Sequence, residues 1–153
     1  MDKKNIIFMK RALELAAEAE KIGEVPVGAV VVDKRTGKIV GEGYNKRETA
    51  KSPLAHAEII AIDEASRKLG GWRLFNCDIY VTLEPCAMCA GAIINSRIDK
   101  VYFGASDYRF GAVGSKINLF DEEFNHTPEF ESGMLSRECS DIIKTFFRKL
   151  RSN

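Results

Sequence analysis

The chain has 153 residues, 45% hydrophobic and 29% charged, with a formal net charge of +1. That is the composition of one globular domain, expected over residues 1–153, and it excludes a disordered chain or one whose overall field would announce a nucleic-acid partner. The longest apolar run, Cys86 to Ile94, is too short for a bilayer, which takes about 18 residues or more, and Met1 leads into charged sequence without the apolar core of a secretory signal. No membrane association and a cytoplasmic location are therefore expected. Four cysteines in such a setting point to metal or catalytic thiols rather than to a disulfide framework.

From Asn5 to Ile22 the apolar residues Ile6, Met9, Leu13, Ala16 and Ala19 keep helical spacing, with Asp2 as a cap and Gly23 as a stop. Val25 to Val32 is β-branched and apolar, Asp33 to Gly37 supplies a turn, and Lys38 to Asn45 reads as the returning strand of a hairpin. A polar stretch follows. Then Ile59, Ile62, Ala65 and Leu69 mark a second helix ended by Gly70-Gly71. Cys77, Ile79 and Val81 alternate with Asp78, Tyr80 and Thr82 as a strand, Ala87 to Asn95 looks helical, and Lys100 to Gly104 is another strand. Ala105 to Ser115 is a glycine-containing loop, residues 117–131 carry no clear pattern, and Leu135, Cys139, Ile142, Phe146 and Leu150 mark a terminal helix. This order argues for a mixed sheet covered by helices on both faces, an α/β chain with its function at strand ends.

Glu84-Pro85-Cys86-Ala87-Met88-Cys89, at a junction of strand and helix, is open to three readings: a redox dithiol, half of a structural zinc site, or half of a catalytic one. Ala55-His56-Ala57-Glu58, at another helix start, favours the third. His56, Cys86 and Cys89 supply three zinc ligands, Cys86 and Cys89 sharing a helix face, with the metal off the end of the His56 helix. A fourth position is left for water, whose pKa a catalytic zinc lowers to about 7. No fourth protein ligand stands out: Cys77 and Cys139 fall on apolar faces, and His126 lies in the irregular segment, as easily a surface residue as a ligand. Glu58, beside the metal without binding it, is placed to shuttle protons.

His-x-Glu followed by Pro-Cys-x-x-Cys is the signature of the zinc deaminases, and the chain resembles that superfamily. Gly23-Glu24-Val25-Pro26-Val27-Gly28-Ala29-Val30, Gly41-Glu42-Gly43-Tyr44-Asn45, Tyr80 to Ala92, Ser96-Arg97-Ile98, Phe103 to Asp107 and Gly111 to Ser115 resemble, more narrowly, the bacterial tRNA-specific adenosine deaminases. Ser52, where that family leads one to expect an acidic residue, departs from the pattern. The resemblance implies a cytidine deaminase-like fold, a three-layer α/β/α sandwich with a central mixed five-stranded sheet, and one Zn2+ per subunit on His56, Cys86 and Cys89, with Glu58 as the proton carrier. It implies that Asn45 hydrogen-bonds the purine, that Val25 and Leu83 wall the base pocket, and that Asp107 lies near the RNA backbone. The activity implied is conversion of the wobble adenosine of a tRNA anticodon stem-loop to inosine, by a homodimer; the alternative is a salvage deaminase acting on guanine or cytidine. Lys144, Arg148, Lys149 and Arg151 beside Phe146 and Phe147 make the last helix a candidate RNA contact, with Phe147 the aromatic able to stack on a base.

Overall fold

The structure is a computed structural model that describes residues 3–152; Asp2, the expected helix cap, lies outside them. The elements are α1 (Lys3–Lys21), β1 (Gly28–Asp33), β2 (Lys38–Tyr44), α2 (Ala57–Leu69), β3 (Cys77–Leu83), α3 (Ala87–Asn95), β4 (Lys100–Ala105), a single 3-10 turn (Leu119–Asp121), β5 (Glu129–Ser132) and α4 (Ser136–Ser152). The five strands form one sheet in the order β2-β1-β3-β4-β5. β1 runs antiparallel to β2 and β3, whereas β3, β4 and β5 are mutually parallel. The sheet is the mixed one expected.

Both faces of the central strands are buried, so their sequences read as nearly continuous apolar runs. Ala29, Val31, Ile79, Val81, Val101 and Phe103 face α2 and α3, packing on Ala57, Ala61, Ala65, Ala90 and Ile93. Val30, Val32, Tyr80 and Tyr102 face the other way, onto Met9, Ala12 and Leu15 of α1 and Cys139 of α4. Tyr80 and Tyr102 stack with ring centroids 4.6 Å apart. Strand alternation thus builds two cores, one on each side of the sheet, and gives the three-layer sandwich.

Two differences from the sequence reading have simple causes. β1 begins at Gly28 rather than Val25, because Pro26 has no N–H for a ladder and the Val27 N–H bonds back to the Val25 carbonyl at 3.0 Å. β5 sits within the segment that shows no pattern: all four of its residues are exposed, so no face of it carries an apolar signal.

The sheet's directions position the site. β2, β3, β4 and β5 all point the same way, so Asn45, Glu84 to Cys86, Ser106-Asp107 and the β1 entry at Val25 gather at one end. α2 and α3 both start there. Glycine sets how closely α2 lies on β2: a Cβ at Gly41 would run into the Ala61 carbonyl, and one at Gly43 into that of Ala57. No other residue allows that approach.

Candidate metal centre and active site

Three side chains converge where α2 and α3 begin. His56 is the residue capping α2, with extended backbone (φ −83°, ψ 152°), and Cys86 holds the same position on α3 (φ −75°, ψ 178°). The extended conformation releases both from the helix faces. Cys86 and Cys89 therefore meet as a cap residue and a first-turn residue rather than as two residues on one helical face. His56 Nδ1 lies 3.8 Å from Cys86 Sγ and 3.6 Å from Cys89 Sγ. The three ligand atoms all fall within 4.8 Å of one another, the one such group among the described residues.

That spacing fits zinc. With Zn–S near 2.3 Å and Zn–N near 2.0 Å, ligand atoms of a tetrahedron stand about 3.5 to 3.8 Å apart. Two thiolates and an imidazole are a zinc donor set, and three protein ligands leave one position for water or substrate. The two thiols are driven apart, Cys89 upward by its hydrogen bond with Cys86 and by burial. Cys86 is pushed down to about 4, chiefly by the hydrogen bond with Cys89 and then against the cost of burial, while His56 is raised by its bond with Cys86.

Glu58 is buried in the first turn of α2. Burial pushes its carboxyl up to about 7, so near neutral pH it can both take and give a proton, as a general acid and base must.

The other expected site residues have different surroundings. Asn45 follows β2, its Nδ2 donating to the Val25 carbonyl at 3.1 Å and its Oδ1 accepting the Arg47 N–H at 3.1 Å; one amide hydrogen remains for a ligand. Val25 is half-buried beside it. Leu83, at the end of β3, packs against the α1 and α4 core. Asp107 uses its Oδ1 to cap the Arg109 and Phe110 N–H groups, each at 3.1 Å, so its carboxylate shapes its own loop. Ser52 accepts the Leu54 N–H at 3.1 Å, the turn contact an acidic residue would make. Phe147 is 37% exposed on α4, edge-on to Phe146, and Phe146 lies by the end of α1 with Glu20 and Lys21. His126 bonds the Ile98 carbonyl at 2.6 Å, far from any ligand role.

Sequence reading passed over two buried carboxylates at the rim. Glu24 accepts the N–H groups of Glu48 (3.2 Å) and Thr49 (2.6 Å), fixing the loop after Asn45. Glu84 does the same for the loop after β4. The sequence holds one faint sign of Glu84, a glutamate directly before Pro85 at the end of an apolar strand, and none of Glu24, which stands between Gly23 and Val25.

A three-ligand metal site with a buried carboxylate at its side, at the carboxyl end of a mixed sheet, defines a zinc deaminase domain. The family described as the cytidine and deoxycytidylate deaminase zinc-binding region matches residues 2–105. Over most of its length the chain is 53% identical to the tRNA-specific adenosine deaminase of Haemophilus influenzae (94% of this chain, 83% of the relative) and 50% identical to that of Bacillus subtilis (95% and 89%). A solved structure from work on A-to-I editing by tRNA:A34 deaminases superimposes with a TM-score of 0.85 at 41% identity, covering 88% of this chain and 97% of that one. The guanine deaminase of Nitrosomonas europaea, at 23% identity and a TM-score of 0.79, shares the fold. The chain belongs to the family of tRNA-specific adenosine deaminases.

Proposed function

We propose that the chain hydrolyses the wobble adenosine of a tRNA anticodon to inosine and ammonia. The observation that carries the chemistry is Glu58, a buried carboxylate beside a three-ligand zinc site; similarity to tRNA-specific adenosine deaminases along nearly the whole chain supports the substrate. His56, Cys86 and Cys89 would hold the zinc, which when bound would supply a water activated for attack near neutral pH. Glu58 accepts the proton that this water loses and delivers it to the adenine ring nitrogen as the new C–O bond forms at the amine-bearing carbon. It then carries a second proton from the added hydroxyl to the amine, so that ammonia departs and the carbonyl of inosine remains. Asn45 uses its remaining amide hydrogen on the purine, and Val25 and Leu83 border the base. Phe147 and the basic end of α4 take the anticodon stem-loop. An anticodon base is already unpaired, which spares the few kcal/mol of opening a duplex.

The working unit is a homodimer of single-domain chains in the cytoplasm. α3 supports this, since Ala87 to Ile94 is apolar all round, yet Ala87 is exposed and Met88, Gly91 and Ala92 are half-buried. Among the described residues no helix is long and apolar enough to cross a membrane. Incubating the zinc-loaded protein with an anticodon stem-loop carrying a wobble adenosine, with free guanine and with cytidine, tests the reading. Inosine in the stem-loop is expected; turnover of guanine or cytidine alone would replace it with a salvage activity.

A further inference from the structure

The loop after β4 is wrapped around one side chain. Glu84 is 3% exposed. Its Oε1 accepts the Asp107 N–H at 3.0 Å and the Ser115 hydroxyl; its Oε2 accepts the N–H groups of Val113 at 3.0 Å and Ser115 at 3.1 Å. None of the ion pairs among the described residues involves it, so the buried charge is met by four loop donors instead of a cation. The backbone adds two stitches at 2.8 Å, Glu84 N–H to the Ala105 carbonyl and Ala112 N–H to that of Pro85. Gly111 has no side chain because a Cβ there would collide with the Glu84 carboxylate. The next residues after Glu84 are Pro85 and the metal ligand Cys86.

The part of the loop turned outward is Tyr108, Arg109 and Phe110. Tyr108 is 80% exposed and Phe110 63%, and the Arg109 guanidinium lies 5.3 Å from the Phe110 ring. Two open aromatic faces and a cation suit unpaired bases joined by phosphates. A glycine-containing loop would hold such groups in place only if its backbone were tied down, and ordering it beforehand removes that cost from binding.

We propose that Glu84 is a positioning residue for substrate recognition: it fixes the 106–115 loop, which leaves the sheet at the same end as the metal ligands, so that Tyr108, Arg109 and Phe110 take unpaired nucleotides flanking the reacting base. This rests on the RNA-substrate reading above.

Glu84→Gln keeps the shape but turns an amide toward N–H donors, leaving at least one unpaired. With one zinc per chain retained, KM for an adenosine stem-loop and Kd for the same stem-loop with inosine at that position should each rise about tenfold, with kcat within about threefold. Amide exchange at Asp107, Val113 and Ser115 should quicken. Ser115→Ala, which removes one donor of four, should raise KM about threefold and decides the matter if Glu84→Gln does not fold. Unchanged KM and Kd in the folded variants overturn the proposal even if they melt earlier, as does lost zinc or lower kcat at constant KM. A wild-type protein that binds no stem-loop sinks the substrate reading itself; a wild type that binds, with variants that bind equally, sinks only the role of Glu84.

Discussion

His56 and Cys86 begin two different helices, yet Nδ1 of one lies 3.8 Å from Sγ of the other. Residues thirty positions apart in sequence are brought to the spacing of two ligands on one ion, and Cys89 completes the set from the first turn of α3. Cys86→Ala should lower zinc from one per chain to below about a tenth, because two ligands hold the ion far less well than three. Metal analysis of the purified variant measures this directly. A strong chelator should likewise abolish deamination by the wild type, and added zinc should restore it; activity surviving complete removal of zinc would contradict the site.

Glu58 stands beside the ligands without being one of them. Glu58→Gln should therefore keep its zinc and lose about two to four orders of magnitude in kcat, the range for a positioned acid and base, with KM little changed. Loss of zinc in that variant would make Glu58 a ligand instead.

The contact of α2 with β2 is made at glycines. Gly41→Ala forces a methyl group against the Ala61 carbonyl, and the overlap should destabilise the fold by about 1 to 3 kcal/mol in denaturant titration. Since α2 carries His56 at its start, zinc content at limiting metal should fall with it. Unchanged stability would mean that the helix has room to move outward.

Arg11 of α1 grips Glu42 of β2 with two hydrogen bonds, Nε to Oε2 at 2.7 Å and Nη2 to Oε1 at 3.0 Å. The guanidinium hydrogen bond holds the Glu42 carboxyl below its ordinary 4.5. A depressed carboxyl contributes stability in full above its unfolded pKa and loses it as pH falls through the lower folded value. Both side chains are about one-third exposed, so Glu42→Gln should cost no more than about 1 kcal/mol at pH 7. The difference from wild type should shrink below pH 4.5 and vanish once the carboxyl is protonated. A difference that persists in acid would assign the effect to packing.

Much of this was legible before any fold was known, and the reasons differ by element. His56, Glu58, Cys86 and Cys89 were readable because metal chemistry restricts residue type and spacing together. The central strands were readable by two patterns, the apolar run of β1 and the alternation of Cys77, Ile79 and Val81 with Asp78, Tyr80 and Thr82 in β3. β5 was not, since Glu129, Phe130, Glu131 and Ser132 are all exposed at the sheet's edge. Glu24 and Glu84 escaped notice for another reason: most of their partners are backbone N–H groups, which every residue has and which leave little mark on the sequence. Asp107 was named for its place after β4, whereas the cap its Oδ1 makes on the Arg109 and Phe110 N–H groups was not legible, since again the partners are backbone.

Neither α2 nor α3 has a side-chain hydrogen bond at its start, for the residues there, His56 and Cys86, turn toward each other instead. A serine or aspartate in that position stabilises a helix by about 1 kcal/mol, and both helices forgo it. Folding and metal uptake are thereby linked at one edge of the molecule. The sheet and its helices bury their apolar faces without the ion; a bound ion would supply, at the starts of α2 and α3 together, the anchoring that a capping side chain gives a single helix.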